Sequence, residues 1–392
     1  MKSTTQKSVI YKIYISEFFA EFIPIYVIFP IMFVERGGVS AAGVGVLLAV
    51  WQIVIVVADV PTGIFADHFP RKYALLMGKM FRIFTYPIWL LYPHFYGYLA
   101  GFILLGIGDA FLSGSLEAYI YDELQDQKLF SHVNQKTASI HLAAFGIAGF
   151  VAVLFGARYN TLLVLSTVSS LLALLFGFLL PTDTIQTRVA TRVTDLVKTA
   201  RRVLKPTESI YVPFLSACVV MAVMIVQTEY ISTFYKSTGI STRLVALLIS
   251  GGNMLTFVIL WNMHRIGNGL KKHRLALLTI FVALPLVAVL LKLAAAVQIM
   301  TIFLFVRMVR MVNIQLANEL QQVATSSIRA TTGSLVSFIA QIAAAASIAL
   351  VGLFSHQHDI RLPLVVSAIA GIVLLGYITK PRQKVRSGHG VK

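Results

Sequence analysis

Charge is scarce in this chain: 12% of its 392 residues are charged, about half the roughly 25% of an average soluble domain. Acidic residues are the scarcest, 16 against 33 Lys and Arg. Cysteine is nearly absent. Cys218 stands alone inside an apolar run, which excludes an internal disulfide and a cysteine-based metal site and leaves the redox compartment undetermined. No glycine-rich phosphate loop, nucleophile elbow or His/Glu metal motif occurs, so the chain is not read as an enzyme, and no cofactor or metal is expected.

What remains is apolar. Hydrophobic residues make up 57% of the chain and the mean hydropathy is +0.81, an excess that a soluble core cannot absorb. The apolar residues fall in runs long enough to cross a bilayer, which needs about 20 residues per helix. Twelve such segments can be drawn, at 10–34, 41–62, 73–94, 97–121, 136–157, 160–180, 210–235, 243–262, 274–292, 297–320, 331–354 and 361–379. The expected fold is therefore an all-α membrane protein with twelve transmembrane helices in two pseudo-symmetric six-helix bundles. The N-terminal MKSTTQKSVIYK leads into a run longer than a signal-peptide h-region and without a small-residue cleavage site, and is read as a retained first helix.

The longest polar interruption divides the chain. It gives an N-terminal bundle at 1–180, a basic linker at 181–209, a C-terminal bundle at 210–380 and a basic tail at 381–392. The linker carries Arg188, Arg192, Lys198, Arg201, Arg202 and Lys205 and reads in part as an amphipathic surface helix. Placing both termini inside puts most basic residues in cytoplasmic loops, whereas only Arg36, Arg158, Lys236, Arg243, Lys292 and Arg361 fall outside. The formal charge of +17 is thus a topology signal. Its expected partners are anionic lipid headgroups and not nucleic acid. Arg71–Lys72 and Lys271–Lys272, each just before an apolar run, are a faint internal repeat.

Between the second and third segments stands Asp59-Val-Pro-Thr-Gly63-Ile-Phe-Ala-Asp67-His-Phe-Pro-Arg71-Lys72. This resembles motif A of the major facilitator superfamily, whose spacing is met by Gly63, Asp67, Arg71 and Lys72. Pro70 and His68 depart from its usual glycine and arginine. The resemblance implies a cytoplasmic gate formed by Asp59, Gly63, Asp67, Arg71 and Lys72. In that gate Gly63 lets two helices approach, and Asp67 pairs with basic groups or a helix N-terminus when that side is closed. The turn from Ser326 to Ser334 looks like its counterpart in the second half. No arginine precedes Gly106 and Gly108, and no Gly-Pro follows Gly146 or Gly149. Both absences weigh against an automatic assignment to proton-driven drug antiporters.

Ionisable residues inside a spanning helix cost at least ~2.5 kcal/mol each and default to function. Glu17 and Glu21 share one face of the first segment. Asp109, Ser113, Glu117 and Tyr121 form an i, i+4 stripe along the fourth. The seventh carries Gln227 and Glu229, and the tenth Arg307 and Arg310. By resemblance these four helices line a central cavity. The substrate and proton-coupling site is accordingly expected at Glu17, Glu21, Asp109, Ser113, Glu117, Gln227, Arg307 and Arg310. Arg82 reads as a structural ion-pair partner and His141 as an interhelical hydrogen-bonding residue. The reading placed first is a secondary transporter with alternating access, effecting proton-coupled efflux of small hydrophobic or cationic compounds. The alternative is proton-coupled or facilitated uptake of a polar or anionic metabolite, and the third is a transporter-like receptor. The expected partners are a small-molecule substrate, protons and lipids around a monomer in the cytoplasmic membrane.

Overall fold

A computed structural model describes residues 2–182, 209–261, 263–323, 329–355 and 359–379. The basic linker residues named above lie outside them, as does the tail from 380 onward.

The described residues fold as helices. In chain order they are α1 (Lys2–Glu21), a 3-10 turn (Pro24–Val27), α2 (Phe29–Glu35), α3 (Ala41–His68), α4 (Arg71–Leu91), α5 (Phe95–Leu112), α6 (Ser115–Leu124), α7 (Gln127–Phe155) and α8 (Tyr159–Phe178) in the first half. The second half holds α9 (Tyr211–Ser237), α10 (Thr242–Trp261), α11 (Met263–Leu290), α12 (Ala295–Val323), α13 (Arg329–Phe354) and α14 (Arg361–Thr379). Among the described residues ten helical stretches are long and apolar enough to cross a membrane, and Thr242–Val258 is a shorter apolar one. The first expected segment is not one rod. Pro24 and Pro30 lack the amide hydrogens a continuous helix needs, and α1, the 3-10 turn and α2 follow one another instead.

The expected fourth segment is also broken. Ser113 ends α5, Gly114 adopts φ +70°, and α6 starts afresh. A side chain at Gly114 would be strained in that left-handed conformation.

Pairings of helices repeat between the halves. The first span packs on α8 as α9 packs on α14, α4 on α5 as α11 on α12, and α4 on α8 as α11 on α14. This is the pseudo-symmetry expected of two six-helix bundles. Across the seam α3 packs on α13 and α7 on α10, the same pairing with the halves exchanged. Small residues let the seam close, because a bilayer offers helices no hydrophobic drive and leaves close packing to join them. A Cβ on Gly45 would lie 2.9 Å from the Cα of Gly352, and one on Gly149 would collide with Ser250. Tyr230 of α9 donates to the Ile348 carbonyl at 2.9 Å. Glu35 of α2 pairs with Lys236 of α9 at 2.9 Å. These contacts lie at the end of the molecule that carries Glu35, far along α3 from Arg71.

Candidate functional site

The seam encloses a cavity of about 240 Å³, below the ~300–1,000 Å³ of drug-sized sites and suited to a small solute. The first half contributes Glu21, Tyr26, Phe29, Trp51 and His141 to its wall. The second contributes Gln227, Glu229, Asn253, Arg307 and Arg310. Apolar side chains of α7, α9, α10 and α12, with Val27 and Pro30, make up most of the rest.

On the first-half side the carboxylates are already paired. Glu17 is buried, with Oε1 2.8 Å from Lys79 Nζ and Oε2 3.1 Å from His141 Nε2. Arg82 sits between the other two, its Nη2 2.7 Å and Nε 2.8 Å from Asp109 Oδ1 and its Nη1 3.4 Å from Glu21 Oε1. Trp51 donates its indole N–H to Asp109 Oδ2 at 2.9 Å. Asp109 therefore sits behind Trp51, and Glu21 faces the cavity directly.

The second-half side is different. Arg307 Nη1 donates to Asn253 Oδ1 at 3.2 Å and to Thr256 Oγ1 at 3.0 Å, and Arg310 Nη1 donates to the same Asn253 oxygen at 2.6 Å. Gly252 makes room for Arg307, since a Cβ there would lie 3.2 Å from the guanidinium carbon. Arg307 Nε is buried without a hydrogen-bond partner. Among the described residues neither arginine is in a salt bridge. Glu229 faces the cavity with no hydrogen bond or ion pair among them either. Gln227 donates to the Leu364 carbonyl at 3.2 Å and leaves its own oxygen unpartnered.

The residues expected to form the site are thus only partly brought together. Glu21, Gln227, Arg307 and Arg310 line the cavity, while Glu17 and Asp109 stand one layer behind it. The expected polar stripe of the fourth segment does not exist. The helix breaks at Gly114, Ser113 and Glu117 are both exposed and outside the cavity lining, and Glu117 accepts from Asn134 at 3.4 Å.

The expected gate residues have described partners in their own half. Arg71 lies 3.5 Å from Asp122. Lys72 donates to the Phe178 and Leu180 carbonyls at 2.9 and 2.5 Å, satisfying the C-terminus of α8 as a cation does at a helix end. Gly63 was expected to admit a neighbouring helix, yet a Cβ there would meet no atom within 4 Å. No helix among the described residues uses that space. Asp59 is half-buried, and the Asp67 side chain lies outside the described residues.

Sequence reasoning overlooked Lys79 and left Arg82, His141, Glu229 and Asn253 outside the site. Lys79 and Arg82, three residues apart in an otherwise apolar segment, were the available signal. Two cations there imply two or more carboxylate partners.

A cavity at the seam of two pseudo-symmetric helical bundles, lined by charges from both, defines a membrane transporter. The family description "Major Facilitator Superfamily" matches residues 13–347, and the chain belongs to that family. No curated protein matches it in sequence. Among solved structures it resembles a D-xylose–proton symporter with a TM-score of 0.75 at 13% identity, covering 97% of each chain. The nucleoside transporter NupG gives 0.72 at 13% identity over 95% of this chain and 100% of that one. A peptide transporter, POT, in complex with sulfate gives 0.72 at 14% identity over 94% and 93%. Likeness at that identity establishes the fold.

Proposed function

We propose that this protein imports a small anionic metabolite together with a proton, by alternating access. The observation that carries the reading is the pair Arg307 and Arg310. Two cations share one asparagine oxygen in the cavity wall and neither is in a salt bridge among the described residues, and burying charge without a counter-ion is costly. A carboxylate or phosphate on the solute supplies that counter-ion, with Arg307 Nε as a spare donor.

Efflux of cations draws less support. Glu21 and Asp109, two of the carboxylates a cation would seek, are already shared by Arg82, which leaves Glu229 alone unpaired among the described carboxylates of the cavity wall. The contacts at the Glu35 end close the cavity there. With the basic loops on the cytoplasmic side, that closed end is external, and solute leaves toward the cytoplasm past Gly63 and Arg71.

The test is transport in liposomes under an imposed proton gradient, using a panel of radiolabelled monocarboxylates, dicarboxylates, sugar phosphates and lipophilic cations. Anions should accumulate. Arg307→Gln and Arg310→Gln should each weaken their transport by about 10–100-fold, the worth of a charged hydrogen bond of ~1.5–3 kcal/mol. Movement of cations alone, indifferent to both substitutions, would sink the reading.

A further inference from the structure

Lys79, at 2.8 Å, holds Glu17 in an ion pair, so the carboxylate is an acceptor on both oxygens. The ring nitrogen that faces it, Nε2 of His141 at 3.1 Å, must then carry the hydrogen of the neutral imidazole. That fixes the tautomer. Nδ1 is left with its lone pair and has no hydrogen-bond partner among the described residues. The His141 side chain is 33% exposed and stands in the cavity wall, whereas Glu17 and Lys79 are 8% and 2% exposed behind it. Of the three, only the imidazole meets the cavity.

The charges around it leave one proton's worth of room. Glu17 and Lys79 form one ion pair of net charge zero, and Arg82 with Glu21 and Asp109 a second set of net charge −1, so the two together carry −1. A proton on His141 brings the cluster to zero. In a low-dielectric wall a neutral cluster is favoured over a charged one. Glu17 and Glu21 on α1 favour the imidazolium and Lys79 on α4 opposes it.

Farther groups are engaged elsewhere or stand across the cavity. Lys136 on α7 is occupied over the Tyr14 ring, 5.4 Å from its centroid. The α8 helix and the 3-10 turn carry no charged residue, Glu117 on α6 is engaged with Asn134, and Arg243 on α10 sits against Gly156 at the far end of α7. Asp59 faces Asp109 from α3 and adds negative charge. Glu229, Arg307 and Arg310 stand on the opposite cavity wall, and their sum opposes the imidazolium until an anion seats at the two arginines.

We infer that His141 Nδ1 is the site that binds the transported proton, with Glu17 and Lys79 positioning the ring. The proton comes from cavity water onto the Nδ1 lone pair and returns to water when the cavity opens on the other side, and no other bond changes. This rests on the symport reading for its coupling, since an anion at Arg307 and Arg310 and a proton at His141 enter and leave the same cavity.

Two measurements test it. In liposomes, an anion that the panel above shows to be moved is assayed with wild type and His141→Gln. One pH unit across the membrane is worth about a tenfold concentration ratio for one coupled proton. Wild type should approach that ratio, and His141→Gln should fall to about onefold while retaining exchange of labelled for unlabelled anion. Because the variant could misfold, the second measurement uses wild type alone and no solute. Nitrogen-15 NMR of labelled histidine follows the ring, assigned through Ile140–His141, which no other histidine shares as a preceding pair. It should pass from the Nε2–H tautomer to imidazolium within roughly pH 5–9. A ring that keeps one tautomer across that range overturns the proposal. So does accumulation by His141→Gln equal to wild type, which leaves the anion reading intact. Titration of His141 with no anion moved upholds the proton site and overturns only the anion reading.

Discussion

Glu35 and Lys236 face each other across the seam, Oε1 to Nζ at 2.9 Å, and Tyr159 donates its hydroxyl to the other oxygen of the same carboxylate. One side chain of α2 therefore gathers α8 and α9, so the first half is tied to the second just where α3 and α13 meet through glycine. Both charged side chains are about one-third exposed, at 34% and 35%, so the pair is a modest fastening.

Glu35→Gln should loosen that fastening by ~0–1 kcal/mol, the worth of an exposed ion pair, and shift the balance of conformations by up to about fivefold. Spin labels at Asn160 and Ser241, in a Cys218→Ser background, report the separation of the halves at this end. A longer-distance population should grow in the variant. A distance distribution unchanged from the parent would show that the pair does not fasten the seam.

Gly45→Val should act more strongly in the same assay, because its side chain must enter space held by the backbone of Gly352 and Ile348, and overpacking costs ~1–3 kcal/mol. Gly63→Val, where no atom lies within 4 Å, should leave the distances as they are. Equal shifts from both substitutions would contradict the seam described here.

Arg82→Gln should be poorly tolerated. It leaves Asp109 and Glu21 without their cation, and breaking a buried pair from one side costs ~3–5 kcal/mol. Adding Asp109→Asn restores the original charge sum, since one carboxylate then stands where two carboxylates and one cation stood. Thermal unfolding in detergent should show the single variant well below wild type and the double variant largely recovered. A single variant as stable as wild type would refute the pairing.

Outside the spans, Arg361 donates from Nη2 and Nε to Asp359 at 2.7 and 2.9 Å, and these hydrogen bonds hold the Asp359 carboxyl below its usual range. A depressed carboxylate contributes stability above its unfolded value of about 4 and loses it as pH falls through the folded one. Asp359 is 50% exposed, so water screens the interaction. Asp359→Asn should lower the unfolding temperature at neutral pH by no more than about 2 °C, with the difference vanishing once acid has protonated the folded carboxyl. A larger shift that persists in acid would assign Asp359 another role.

Much of the architecture was legible because hydropathy is a property of contiguous residues. The apolar runs at 41–62 and 210–235 became α3 and α9 within a few residues at most ends. Partner choice was less legible, since Glu17 finds Lys79 at a separation of 62 residues, and only packing decides which of several cations it meets. The polar stripe through Asp109 failed for a backbone reason. A helical wheel assumes an unbroken helix, and Gly114, readable as a small residue, gave no sign by itself that it would adopt a left-handed conformation. The prolines at 24 and 30 did carry such a sign, because proline cannot donate to the helix.

Arg307 and Arg310 also have an electrical consequence. A charge moved through the membrane field gains or loses ~2.3 kcal/mol per 100 mV. On the alternating-access reading, the empty cavity reorients with Arg307 and Arg310 in no salt bridge among the described residues, and the loaded cavity reorients with their charge partly cancelled by the solute. The membrane potential then acts mainly on the return of the empty carrier. Voltage sets how often the protein turns over more than how tightly it holds what it carries.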